Sequence, residues 1–184
     1  MAEIKGIKLT GIQSHAGVEN NTLFANVYMD GKKVGTISDD GWGGGMDLKL
    51  PGEVLEEIKR RHETYIREQK IEDYIATYKM TPEQYLDASG KGAVPLMEAD
   101  PELFIDELAE LTELEKTFKK ALKKGWKEIV TVEFVRLAGP QPRDLQFDSD
   151  GSEEAIRTIR ERADYSARPY RLKRYASLDD FKIA

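Results

Sequence analysis

Cysteine is absent from the sequence, which excludes a disulfide framework, a thiolate nucleophile and any cysteine-based metal site. Histidine is nearly absent: His15 and His62 are the only side chains that titrate near neutrality when unperturbed. His62 falls on an apolar helical stripe, where a hydrogen-bonded core histidine is the ordinary reading, and His15 sits in a polar stretch with no nameable partner. No apolar run approaches the roughly 18 residues of a membrane span. The start, Met1 to Gly6, lacks the charged, apolar and small-residue regions of a secretory signal. The expectation is a soluble cytoplasmic chain. Motifs are missing as well: neither G-x-x-x-x-G-K-[ST] nor G-x-G-x-x-G occurs, and there is no G-x-S-x-G elbow, H-E-x-x-H or kinase signature set. Nor is there a strand-borne pair of acids followed by lysine. A carboxylate-dependent metalloenzyme is therefore the minority reading, with no catalytic, cofactor or metal residues assigned.

What is present is charge. Charged residues make up 34% of the 184 and hydrophobic residues 40%, enough apolar side chain for a core and more charge than an average domain at about 25%. The net charge of −6 is unevenly laid out. Between Glu98 and Glu115 stand eight acids and no lysine or arginine, whereas Ile156 to Tyr175 carries seven basic residues against two acids. The first stretch suits a basic partner and the second an acidic one.

Periodicity places the elements. Ile4 to Ile12 reads as a strand, Gln13 to Asn21 as a polar loop and Thr22 to Met29 as a second strand. Asp30-Gly31 is the strongest hairpin signal, because a tight primed turn needs positive φ. The return strand is Lys33 to Ser38, paired through Val27–Val34 or Tyr28–Val34 according to loop length. Pro51 opens a helix whose apolar stripe is Val54, Leu55, Ile58, His62, Tyr65 and Ile66, followed by a helical piece over Ile71 to Tyr78. Thr81-Pro82-Glu83-Gln84 is a capping box opening a helix to Ala88. Asp100-Pro101 starts the longest helix, stopped by Gly125, with Phe104, Leu108, Leu111, Leu114, Phe118 and Leu122 inward. Ile129 to Leu137 alternates as a strand, Asp148 to Ser152 is an acidic turn ending in an N-cap, and Glu153 to Asp164 is a helix. The last twenty residues have no clear period and read as irregular or extended. The expected fold is α+β: one domain over 1–184, with a β-hairpin region (1–50), a helical region (51–125) and a segment of strand, helix and basic-aromatic tail (126–184). Its N-terminal antiparallel sheet packs against several α-helices, and the Ile129 strand is a candidate to join that sheet.

The most unusual stretch is Asp39-Asp40-Gly41-Trp42-Gly43-Gly44-Gly45-Met46-Asp47. Its glycines and the helix start after it suggest an anion cradle, but no phosphate-binding lysine accompanies them, and three aspartates repel phosphate. The aspartates suggest a hard cation, as does Asp148 to Glu153, yet neither has EF-hand spacing, and turn chemistry alone accounts for Asp beside Gly. The hairpin Phe24 to Gly35, followed by Ser38-Asp39-Asp40-Gly41-Trp42-Gly43-Gly44, resembles a pattern in small accessory proteins of phages and other bacterial mobile elements. That pattern has an aromatic-rich strand, an Asp-Gly-Lys turn, a Val-Gly return strand and an Asn-Asp-Gly-x-Gly-Gly loop; Asp39 here stands at its Asn. Some accessory proteins of such elements are anti-CRISPR inhibitors. The resemblance implies a non-catalytic protein that acts in the cytoplasm of a bacterial host, binding and inhibiting a nucleic-acid enzyme such as an RNA-guided nuclease or another ribonucleoprotein.

Two surfaces are candidates for that contact. Asp39, Asp40 and Trp42 in the loop, with Asp106, Glu110 and Glu113 on the acidic helix, offer carboxylates able to imitate phosphates in a basic channel. Acids at a helix start and lysines at its end also complement the helix dipole, which explains the same residues without a partner. Arg168, Arg171, Lys173 and Arg174, interleaved with tyrosines, suit single-stranded nucleic acid and support the alternative of a nucleic-acid-binding accessory protein.

Overall fold

Asp30 and Gly31 have φ of 50° and 80°, the positive values of a two-residue primed turn. They join β3 (Asn21–Met29) to β4 (Lys32–Asp39). The pairing runs Met29–Lys32 and Tyr28–Lys33, then shifts at a bulge so that Val27 faces Gly35. Neither anticipated partner of Val34 is realised, because Val34 is the bulged residue. The bulge keeps Val27 and Ile37 on one buried face, which a plain two-residue register could not do.

The computed structural model describes residues 1–16, 21–71, 81, 83–84, 99–134, 145–165 and 170–184. The architecture is α+β, in two compact units. The first comprises Met1–Tyr65, Ala99–Glu115 and Phe181–Ala184; the second comprises Ile66–Glu98 and Lys116–Asp180.

The first unit holds a six-stranded sheet in the order β5-β4-β3-β2-β1-β9. The predicted Ile4 to Ile12 strand is split: β1 (Glu3–Ile4) and β2 (Ile7–Ala16) flank a reversal at Lys5-Gly6, both at positive φ. The predicted polar loop is corrected at both ends, since Gln13 to Ala16 belong to β2 and Asn21 to β3; residues 17–20 lie outside the described residues. Gln13 and Ser14 are polar because they lie on exposed positions of a paired strand. β5 (Asp47–Lys49) pairs with β4, and here Gly35 is obligatory: a Cβ would stand 2.3 Å from the Lys49 carbonyl oxygen. β9 (Lys182–Ile183) runs parallel to β1, a pairing that no local pattern announced.

Ile4, Ile7, Leu9, Ala25, Val27 and Ile37 form the buried side of this sheet. α1 (Gly52–Tyr65) buries Ile58, His62 and Tyr65, the expected stripe, and continues as π-helix over Ile66–Ile71. His62 and Tyr65 meet Phe104 at ring-centroid distances of 5.3 and 6.4 Å. His62 Nδ1 lies 3.0 Å from the Asp100 amide nitrogen and 2.9 Å from its carbonyl oxygen, so the histidine is a buried, backbone-bonded core residue. Arg61 ties three pieces together. It donates to both Asp30 carboxylate oxygens at 2.9 and 2.7 Å, to Glu57 at 2.7 Å and to the Lys5 carbonyl at 2.7 Å.

α2 (Pro101–Lys123) starts where Asp100 accepts hydrogen bonds from the Glu102 and Leu103 amides, at 2.8 and 3.1 Å. It stops at Gly125 (φ 90°), with Gly125 N–H on Leu122 O and Trp126 N–H on Ala121 O, the bond pair of a Schellman motif. Residues 101–115 belong to the first unit and 116–123 to the second. Leu122, expected inward, is 43% exposed; it lies in the terminal turn, where the apolar stripe is carried instead by buried Phe118 and Ala121.

The second unit contains β6 (Glu128–Phe134), β7 (Leu145–Ser149), α3 (Glu153–Asp164) and β8 (Tyr170–Tyr175), with the sheet order β7-β6-β8, antiparallel throughout. β6 pairs within this sheet and not with the N-terminal one. Val130, Val132 and Phe134 pack with Ile156, Ile159 and Ala163 of α3. Ser152 caps α3 by accepting from Ala155 N–H at 3.2 Å, as its sequence predicts. The acidic turn begins later than expected, because Asp148 and Ser149 end β7 and are paired with β6. Within the tail, Tyr170–Tyr175 is extended as a paired strand, its period hidden by long basic side chains that make ion pairs; Leu178–Phe181 is a short 3-10 turn, and residues 166–169 lie outside the described residues. Thr81 and Gln84 exchange the two hydrogen bonds of a capping box at 2.8 and 3.2 Å. The rest of the predicted Pro82 to Ala88 helix, and the piece beyond Ile71, lie outside the described residues.

Candidate interaction surface

The glycine loop is built by its own aspartates. Asp39 Oδ1 accepts the Gly41 amide at 2.8 Å and Asp40 Oδ1 accepts the Trp42 amide at 3.1 Å, two successive Asx turns. Gly41 and Gly43 take φ of 73° and 77°, which side-chain-bearing residues rarely adopt. The loop then returns to the start of α2, where Met46 N–H donates to Glu102 at 3.2 Å and the Met46 side chain is buried. Gly45 passes so close that a Cβ would meet the Glu102 carboxylate at 3.3 Å.

This return places loop acids beside helix acids. Partial desolvation, then the negative charges of Asp39, Glu102, Asp100 and Glu107, raise the Asp106 carboxyl above its usual range. Asp39 and Asp106, more than sixty residues apart in sequence, thus share one acidic field. Glu110 and Glu113 extend it along the exposed side of α2, four and seven residues beyond Asp106. Trp42 is 67% exposed and Leu103, beside Glu102, is 53% exposed. Glu102 was not singled out by sequence reasoning; its role depends on a loop amide 56 residues away.

The basic residues of the tail are differently placed. In β8, Arg171 and Lys173 both pair with Glu133, Lys173 at 3.5 Å. Arg174 pairs with buried Glu128 at 2.9 Å, and Glu128 also accepts from Ser149 Oγ at 2.8 Å. Lys173 and Arg171 hold the Glu133 carboxyl below its usual range, against the upward effect of its burial. Three of the four predicted tail cations are therefore partners of the sheet's own acids, and Arg168 lies outside the described residues. Glu128 and Glu133 are visible in the sequence, but only the β6–β8 register sets Glu133 opposite Arg171 and leaves Glu128 diagonal to Arg174, which stands opposite Val130 and reaches across to it.

The turn at Asp148 to Glu153 is occupied by local bonds: Asp150 accepts from Ser152 N–H at 2.9 Å and Ser149 Oγ from Gly151 N–H at 3.0 Å. Among the described residues, no group of three or more His, Asp or Glu side chains is arranged to hold a metal ion. No described helix is long and apolar enough to cross a membrane. Compared with known proteins, the chain matches no family model, no curated protein and no solved structure.

Proposed function

We propose that the chain is a non-catalytic, mobile-element binding protein that inhibits a nucleic-acid enzyme in the cytoplasm of a bacterial host, an RNA-guided nuclease being the specific target class. One observation carries the reading: the glycine loop and the acidic helix converge, so that Asp39, Asp106, Glu110, Glu113 and exposed Trp42 belong to one unit. Carboxylates held close against their own repulsion are costly to the free protein, and a basic channel that normally holds phosphates relieves that repulsion on binding. Trp42 supplies the aromatic anchor that interface energetics favour. Electrostatic attraction of this kind speeds association and weakens with salt.

The test is co-purification from bacterial lysate, with and without nuclease treatment, using the natural chain and the Asp106→Lys/Glu110→Lys/Glu113→Lys variant. A protein partner that survives nuclease treatment and is lost with the triple variant supports the proposal. A partner retained undiminished by that variant sinks the acidic-face mechanism.

A further inference from the structure

The sheet of the first unit has a second side. Because Ala25 and Val27 point into the core, Phe24, Asn26 and Tyr28 of the same strand point away from it. Register gives the rows on that outer face. Tyr28 lies between Lys8 and Lys33, Asn26 between Thr10 and Thr36, and Phe24 between Gln13 and Ser38. The three rows contain two cations and no anion, on a chain whose net charge is −6. Neither Lys8 nor Lys33 is ion-paired among the described residues, unlike Arg171, Lys173 and Arg174. Phe24 is 42% exposed on this face, so its ring is accessible to a stacking partner.

We infer that this face binds single-stranded nucleic acid. Tyr28 and Phe24, about 13 Å apart along β3, offer two flat surfaces for unpaired bases. Asn26 and Thr36 between them carry hydrogen-bonding groups suited to base edges or sugar hydroxyls. Lys8 and Lys33 flank Tyr28 on both sides, where the phosphates of a strand crossing the sheet would run. Aromatic stacking from a sheet, combined with flanking cations, is a physical solution to holding a flexible polyanion without reading its sequence. A double helix does not fit this chemistry, since its bases are not free to stack on protein rings. The inference does not rest on the acidic face, and its residues are different ones.

The experiment is fluorescence anisotropy of a labelled oligonucleotide of roughly twelve residues, single-stranded U or dT, against the full chain at about 50 and 200 mM salt. Saturable binding that weakens at the higher salt is expected. It should fall about tenfold or more in Phe24→Leu/Tyr28→Leu, which keeps apolar bulk but removes the rings, and likewise in Lys8→Glu/Lys33→Glu. Circular dichroism melts check that the variants fold; Tyr28→Leu alone serves if the pair does not. The Asp106→Lys/Glu110→Lys/Glu113→Lys variant should retain binding, which separates this test from that of the acidic face. No saturable binding by the natural chain overturns the inference. So does equal binding of a duplex, or binding unchanged by loss of the rings.

Discussion

Replacing Arg61 with alanine tests whether the first unit is held by the clamp described above. One guanidinium spans the Asp30 hairpin tip, the Lys5 carbonyl at the β1–β2 reversal and Glu57 on its own helix. Its side chain is 16% exposed, whereas Asp30 is 63% exposed. The losses are therefore unequal. Asp30 returns to water at little cost, and an exposed pair is worth about 0.5 to 1 kcal/mol. The Lys5 carbonyl loses a charge-assisted bond in a partly buried place, worth about 1.5 to 2 kcal/mol. Glu57 keeps both its bonds to Arg60, at 2.8 and 2.7 Å. The expected destabilisation is about 2 to 3 kcal/mol, read as a lower urea midpoint at unchanged slope. Arg61→Lys should recover less than half, because an ammonium cannot serve three acceptors in fork geometry. Coupling with Asp30→Asn in a double-mutant cycle should be only about 0.5 to 1 kcal/mol. A loss under about 0.5 kcal/mol for Arg61→Ala would refute the clamp, and strong coupling to Asp30 would relocate its energy to the exposed pair.

Asp106→Asn should raise the thermal midpoint at neutral pH, by the equivalent of about 0.5 kcal/mol, because it removes a partly desolvated charge and its repulsion by neighbouring acids. The raised folded pKa means that the natural chain loses this increment of stability as pH rises through the carboxylate range, so the advantage of the variant should vanish below about pH 4. The Arg60 and Arg61 guanidiniums hold Glu57 down at about 2, and Arg61 holds Asp30 below its usual range. Their stabilisation is present above the ordinary carboxylate pKa and should be lost between about pH 5 and 2, a loss that acid titration of Arg61→Ala should show flattened. Burial, reinforced by Glu133, raises the Tyr175 phenol well above its ordinary value. The unfolded chain therefore ionises first, and stability should fall once pH exceeds about 10, less steeply in Tyr175→Phe. Gly35→Ala should cost about 1 to 3 kcal/mol by forcing β5 away from β4, seen as faster amide exchange at Leu48 and Lys49.

Local chemistry was enough to place much of this chain. Asp30-Gly31 dictates its turn, Asp100-Pro101 and Ser152 dictate helix starts, Gly125 dictates a stop, and the Ile58-His62-Tyr65 spacing dictates which side of α1 is buried. The turn, caps and stop are legible because each is satisfied within a few residues, and the α1 stripe because helical periodicity fixes which residues share a face. The bulge at Val34, the reversal at Lys5-Gly6 and the strands β7, β8 and β9 were not legible in the same way. A strand's hydrogen bonds lie in another strand, so its length and register are settled only when the partner is known. The same limit governs the candidate surfaces. The sequence alone determined that acids cluster in one segment and cations in another. Only the tertiary structure decided that Asp39 stands with Asp106, that Arg171 and Arg174 pair with Glu133 and Glu128, and that Lys8, Tyr28 and Lys33 share one row. A charge acquires its meaning from what lies opposite it, and which residues lie opposite is fixed by pairing across the fold.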